Sequence, residues 1–115
     1  MNVVVIDDSP EIIEVVTLCF QLRWGNTTVS PANDGSKGLE LVEKENPDLV
    51  ILDIGLPDMD GFQVLREIRR FSQVPVIMLT VKNEDTDIAK GLELGPMTML
   101  PSPSAILNCW PGRRR

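Results

Sequence analysis

Three short apolar runs, each closed by a polar side chain, set the limits on what this chain can fold into. Val3-Val4-Val5-Ile6 ends in Asp7-Asp8, Leu49-Val50-Ile51-Leu52 ends in Asp53, and Val74 to Leu79 ends in Thr80. Strands that are apolar at every position are covered on both faces, which is the pattern of a parallel sheet. Helical patterns fill the intervals, as the crossover connections of such a sheet require. Ser9-Pro10 supplies an N-cap and a first-turn proline, and Ile12, Ile13, Val16, Cys19 and Phe20 follow at helical spacing as far as Trp24-Gly25. Thr27-Thr28-Val29 reads as a short strand. Leu39 and Val42 mark a helix stopped by Asn46-Pro47, and Val64, Leu65 and Ile68 mark the next. Pro75 suits the first residues of its strand. Glu84, Asp85 and Asp87 favour a helix N-terminus, with Ile88, Ala89 and Leu92 as its inner face.

A length of 115 residues fits one domain, and 43% hydrophobic residues are enough for a core. No apolar run is long enough to span a bilayer, and the first residues lack the pattern of a signal peptide. Cys19 and Cys109 have no partner motif, so a reduced, cytoplasmic protein is expected. The chain has no histidine, which excludes Ser-His-Asp, Cys-His and His-ligated metal chemistry. A net charge of −6 argues against nucleic-acid binding by this chain.

Ligands of parallel α/β sheets sit beyond the carboxyl ends of the strands, where Asp7, Asp8, Asp53 and Thr80 fall. A lone aspartate after a strand is commonly a turn or helix cap. Three carboxylates together are another matter: two unit charges about 4 Å apart repel by roughly 4 kcal/mol at an effective dielectric near 20. A hard divalent cation with oxygen ligands relieves that repulsion, and Mg²⁺ suits a site of a few carboxylates. A carboxylate can also act as a nucleophile toward phosphorus, with the metal neutralising the incoming group, and Thr80 is placed to hydrogen-bond a phosphoryl oxygen.

Val4 to Pro10, Pro47 to Gly61 and Val74 to Thr80 resemble, in order and spacing, the three signature segments of response-regulator receiver domains. The resemblance covers about residues 2–95. It implies a flavodoxin-like (βα)5 fold, a doubly wound parallel sheet with strand order 2-1-3-4-5. It also implies that Asp53 is the aspartate phosphorylated by a sensor histidine kinase. Asp8, Asp53 and the main-chain carbonyl of Gly55 would ligate Mg²⁺, Asp7 would act mainly through water, and Thr80 would be the switch hydroxyl. Pro57 and Gly61 match the family's loop beside the site. A homodimer is left open. A degenerate receiver acting as a phosphorylation-independent interaction module is the alternative, followed by a Mg²⁺-dependent phosphatase with Asp53 as nucleophile.

The last twenty residues depart from the family. All seventeen acidic residues lie at or before Glu93, facing eight basic ones, whereas Leu94 onward holds no acid, four prolines and three terminal arginines. The family's lysine after the fifth strand falls at Ser102, and its switch aromatic at Met99. Residues 1–95 are therefore expected to form the receiver domain and 96–115 an irregular tail, with the fifth strand and helix missing or altered. One lost base at Gly95 accounts for this. Codons can be chosen for Gly95 to Gly112 such that restoring one base gives Gly-Ala-Asp-Asp-Tyr-Val-Thr-Lys-Pro-Phe-Ser-His-Ile-Glu-Leu-Leu-Ala-Arg, which has the family's tyrosine and lysine. On this reading the chain is the shortened N-terminal part of a DNA-binding transcriptional regulator.

Overall fold

The computed structural model describes residues 1–79 and 97–100. The elements run β1 (Asn2–Ile6), α1 (Pro10–Trp24), β2 (Thr28–Ala32), α2 (Gly35–Glu45), β3 (Leu49–Asp53), α3 (Gly61–Arg69), β4 (Val76–Leu79) and β5 (Met97–Leu100). The strands form one parallel sheet in the order β2-β1-β3-β4-β5, the order that the resemblance implies for the family.

The continuous apolar runs serve two cores because side chains alternate across a strand. Val4, Ile6, Val50, Leu52, Val76 and Met78 point to one face and pack with Val42 of α2 and Phe62, Val64, Leu65 and Ile68 of α3. Val3, Val5, Leu49, Ile51, Ile77 and Leu79 point to the other and pack with Val16 and Phe20 of α1. Every residue of β1, β3 and β4 named here is buried.

Local chemistry sets the helix ends. Ser9 caps α1, its hydroxyl accepting from the Ile12 N–H, with Pro10 in the first turn. Asp34 and Asp60 cap α2 and α3 by accepting from the Lys37 and Gln63 N–H groups. Asn46 ends α2 in the left-handed conformation at φ 48°, and Pro47 then prevents continuation. α2 lies so close to the sheet that a Cβ on Gly38 would come within 2.5–2.8 Å of the Ile6 side chain.

One expectation needs correction. The prolines near the end of the chain do not prevent a fifth strand, because Met97–Leu100 pairs with Val76–Leu79 in parallel register. Those four residues fall between Pro96 and Pro101, and β5 is the edge of the described sheet. A proline at the end of an edge strand removes no central ladder bond. The stripe that the spacing marks on α1 turns inward, with Val16, Cys19 and Phe20 buried, whereas Val15, Leu18 and Leu22 face solvent. The expected fourth helix, any fifth helix and residues 101–115 lie outside the described residues.

Candidate functional site: an acidic pocket at the carboxyl end of the sheet

β1 and β3 are neighbours in register, Ile6 opposite Leu52, so both chains leave the sheet at one edge. Asp7, Asp8 and Asp53 meet there. One ligand oxygen from each lies within 4.8 Å of the others, with Asp7 buried, Asp53 half-buried and Asp8 exposed. The Asp7 backbone N–H donates to the Ala32 carbonyl at 3.0 Å, and its Oδ1 accepts from the Ser9 N–H at 2.9 Å.

Among the described residues, the electrostatics are those of a site short of positive charge. Burial, together with the charges of Asp53 and Asp8, raises the Asp7 carboxyl from 3.8 to about 6, against the lowering effect of the Ser9 N–H. Burial and the Asp8 charge also push Asp53 upward, against hydrogen bonds from the Gly55 and Ile54 backbone. Neutral N–H groups thus offset only part of the cost of holding these carboxylates. A set of three hard oxygen donors of this kind fits Mg²⁺.

The segment from Asp53 to Gly61 shapes one wall. The Gly61 N–H donates to the Ile54 carbonyl at 2.7 Å, and Gly55 and Asp60 form an antiparallel bridge that pinches the loop closed. Gly61 sits so near the strand that a Cβ would lie 2.6 Å from the Asp53 carbonyl oxygen and 2.8 Å from the Ile54 Cα. Those are backbone atoms and cannot swing aside, so any larger residue would displace the end of β3. Gly55 is exposed at the mouth of this loop, two residues beyond Asp53.

Of the residues singled out from the sequence, Asp7, Asp8 and Asp53 come together, and Gly55 lies in the adjoining loop. Thr80 lies outside the described residues; Leu79, which precedes it, is opposite Asp53 in the register. Ser102 is also outside them. Asp58 carried no signal of its own in the sequence, yet its carboxylate accepts from the Gly35 and Ser36 N–H groups at the start of α2. Its partners are more than twenty residues away in sequence, beyond the reach of a local motif.

A parallel sheet in this order, with an acidic pocket where β1 and β3 end, defines a flavodoxin-like α/β domain built around a cluster of carboxylates. The family described as the response regulator receiver domain matches residues 3–106. The regulatory protein VanRc of Enterococcus gallinarum is 46% identical over 94 residues, covering 82% of this chain and 40% of its own length. The signal receiver domain of the putative response regulator NarL from Mycobacterium tuberculosis superposes with a TM-score of 0.81 at 31% identity, covering 92% of this chain and 89% of that one. The chemotaxis protein CheY4 of Vibrio cholerae gives 0.82 at 28% identity, covering 92% of each chain. The chain belongs to the response-regulator receiver domain family of two-component signalling. Aspartate phosphorylation and Mg²⁺ binding are typical of that family, whose members are signalling modules phosphorylated by sensor histidine kinases. The chain spans two-fifths of the length of the curated relative VanRc.

Proposed function

We propose that this chain is a phospho-switch that accepts a phosphoryl group on Asp53 from a sensor histidine kinase. The convergence of Asp7, Asp8 and Asp53 at one strand edge carries the reading. An Asp53 carboxylate oxygen forms the new bond to phosphorus, the bond from phosphorus to the donor's imidazole nitrogen breaks, and that nitrogen leaves with the electron pair. Asp8, Asp53 and the Gly55 carbonyl would hold Mg²⁺, with Asp7 acting mainly through water. The bound ion would supply positive charge beside carboxylates that local N–H groups offset only in part. Asp7 orients the corner by holding the Ser9 N–H. Thr80 is the switch hydroxyl of this proposal. The domain signals through its conformation and is not an enzyme acting on external substrates; its compartment is the cytoplasm.

A small acyl phosphate such as acetyl phosphate, given with Mg²⁺, tests this by intact-mass measurement. A phosphoryl adduct that disappears in Asp53→Ala is expected. Its absence in the native chain would remove the phospho-switch and favour a phosphorylation-independent interaction module, a reading that draws on Ser102 standing where the family has its lysine. Rapid turnover of external phosphoesters would instead mark a phosphatase.

The same proposal places the chain at the N-terminal side of a longer DNA-binding regulator, shortened by a lost base near Gly95. The residues up to Glu93 carry a balance of −9, and codons can be chosen for the acid-free segment after them such that restoring one base gives the receiver pattern. Sequencing the encoding DNA across Gly95 decides it: a single-base change must recover the lysine codon at position 102.

A further inference from the structure

Asp58 lies at the tip of the loop between β3 and α3, yet its carboxylate reaches across to the start of α2. Oδ1 accepts from the Gly35 N–H at 2.8 Å, and Oδ2 accepts from the Ser36 N–H at 3.0 Å and the Ser36 hydroxyl at 3.1 Å. Asp34 already caps α2 from within its own segment, accepting from the Lys37 N–H at 2.8 Å. One helix end therefore holds two carboxylates, and the second comes from a different element. Beside this contact the Met59 side chain lies over Gly35, where a Cβ would fall 2.6 Å from its Cγ.

These contacts complete a ring around the acidic pocket. The Asp7 N–H is bonded to the Ala32 carbonyl at the end of β2. Two residues further on Asp34 opens α2, whose first N–H groups are held by Asp58. From Asp58 the chain runs back through Gly55 to Asp53. Without Asp58 the neck alone would hold the loop, by the Gly61 N–H on the Ile54 carbonyl and the Gly55–Asp60 bridge, and with three hydrogen bonds gone from the tip that neck would open more often. Hydrogen bonds to a charged acceptor at a helix N-terminus are among the stronger ones available to a surface residue.

We infer that Asp58 is a positioning residue, tying the loop that carries Gly55 to the N-terminus of α2 and thereby holding the wall of the acidic pocket in shape. The inference rests on the phospho-acceptor reading for its consequence, and on the hydrogen bonds alone for the tether. Asp34→Ala provides the control, because it removes a cap from the same helix without touching the loop.

Two measurements on the full chain test it. In metal-free protein, hydrogen exchange at the Gly61 amide should accelerate about tenfold in Asp58→Ala and remain near native in Asp34→Ala. In calorimetric titration with Mg²⁺ alone, Asp58→Ala should bind about tenfold more weakly, as when an outer-shell partner is lost, with Asp34→Ala unchanged. Asp58→Asn keeps one acceptor oxygen in place and should fall between, and it serves if the alanine variant does not fold. Native exchange and native affinity in folded Asp58 variants would overturn the inference. So would equal losses in Asp34→Ala, which would reduce Asp58 to an ordinary helix cap. If the native chain binds no Mg²⁺, the phospho-acceptor reading falls, and the exchange data still decide the tether.

Discussion

Asp7 shows how one residue carries the tension of the site. Its carboxyl is buried and raised from 3.8 to about 6, so between those values the folded chain binds a proton that the unfolded chain releases. Stability contributed by this group is complete below pH 3.8 and lost as the pH rises through about 6. A rise of this size, with the Ser9 hydrogen bond already counted in it, corresponds to roughly 3 kcal/mol as an upper bound, before solvent screening and local relaxation are weighed. Asp7→Asn keeps an oxygen for the Ser9 N–H and removes the charge. In chelator-treated protein it should be more stable than the native chain by about 2 kcal/mol at pH 8, with the difference vanishing below pH 4. Urea unfolding at the two pH values measures this; parallel pH profiles would mean that Asp7 is not under charge stress. Asp53, raised in the same direction by burial first and the Asp8 charge after it, shares that stress.

At the scale of elements, α2 packs tightly on β1. Gly38 faces Ile6, a buried β-branched residue with little freedom to turn away, and an added Cβ would lie 2.5 Å from its Cδ1. Helix propensity alone favours Gly38→Ala by about 1 kcal/mol. Overpacking costs typically 1–3 kcal/mol, and here three Ile6 atoms stand inside contact distance, so the clash decides the sign. Gly38→Ala is expected to lower stability by about 1–2 kcal/mol in urea unfolding, and a more stable variant would show that α2 can lift off the sheet cheaply. α1 contrasts with α2. It buries Val16, Cys19 and Phe20 and leaves Val15, Leu18 and Leu22 facing solvent. The inward stripe was legible in its sequence as Ile12, Ile13, Val16, Cys19 and Phe20, although Val15, Leu18 and Leu22 also recur at helical spacing. Val16 and Phe20 of that stripe pack against Val3, Val5 and Ile51.

The whole molecule couples a charge of −6 to an acidic pocket at one sheet edge. A ligand that binds only the folded state stabilises it by mass action, by about 1.4 kcal/mol when present at ten times its dissociation constant. Mg²⁺ should therefore raise the melting temperature above that seen in sodium chloride of matched ionic strength, and Asp53→Asn should remove most of the increment. Equal melting in the two salts would reduce the effect to general screening. No helix among the described residues is long and apolar enough to cross a membrane. The sequence by itself determined the parallel sheet, the helix ends at Ser9-Pro10 and Asn46-Pro47, and the strand-end aspartates, because each depends on residue type and near neighbours. It misjudged β5: proline content counts against a strand generally, whereas an edge position needs a clear run only between the prolines. The tertiary structure alone decided the register that puts Asp53 beside Asp7 and Asp8, and the reach of Asp58 to α2. Those depend on contacts between residues distant in the chain, whose energies arise only once the sheet and helices have packed.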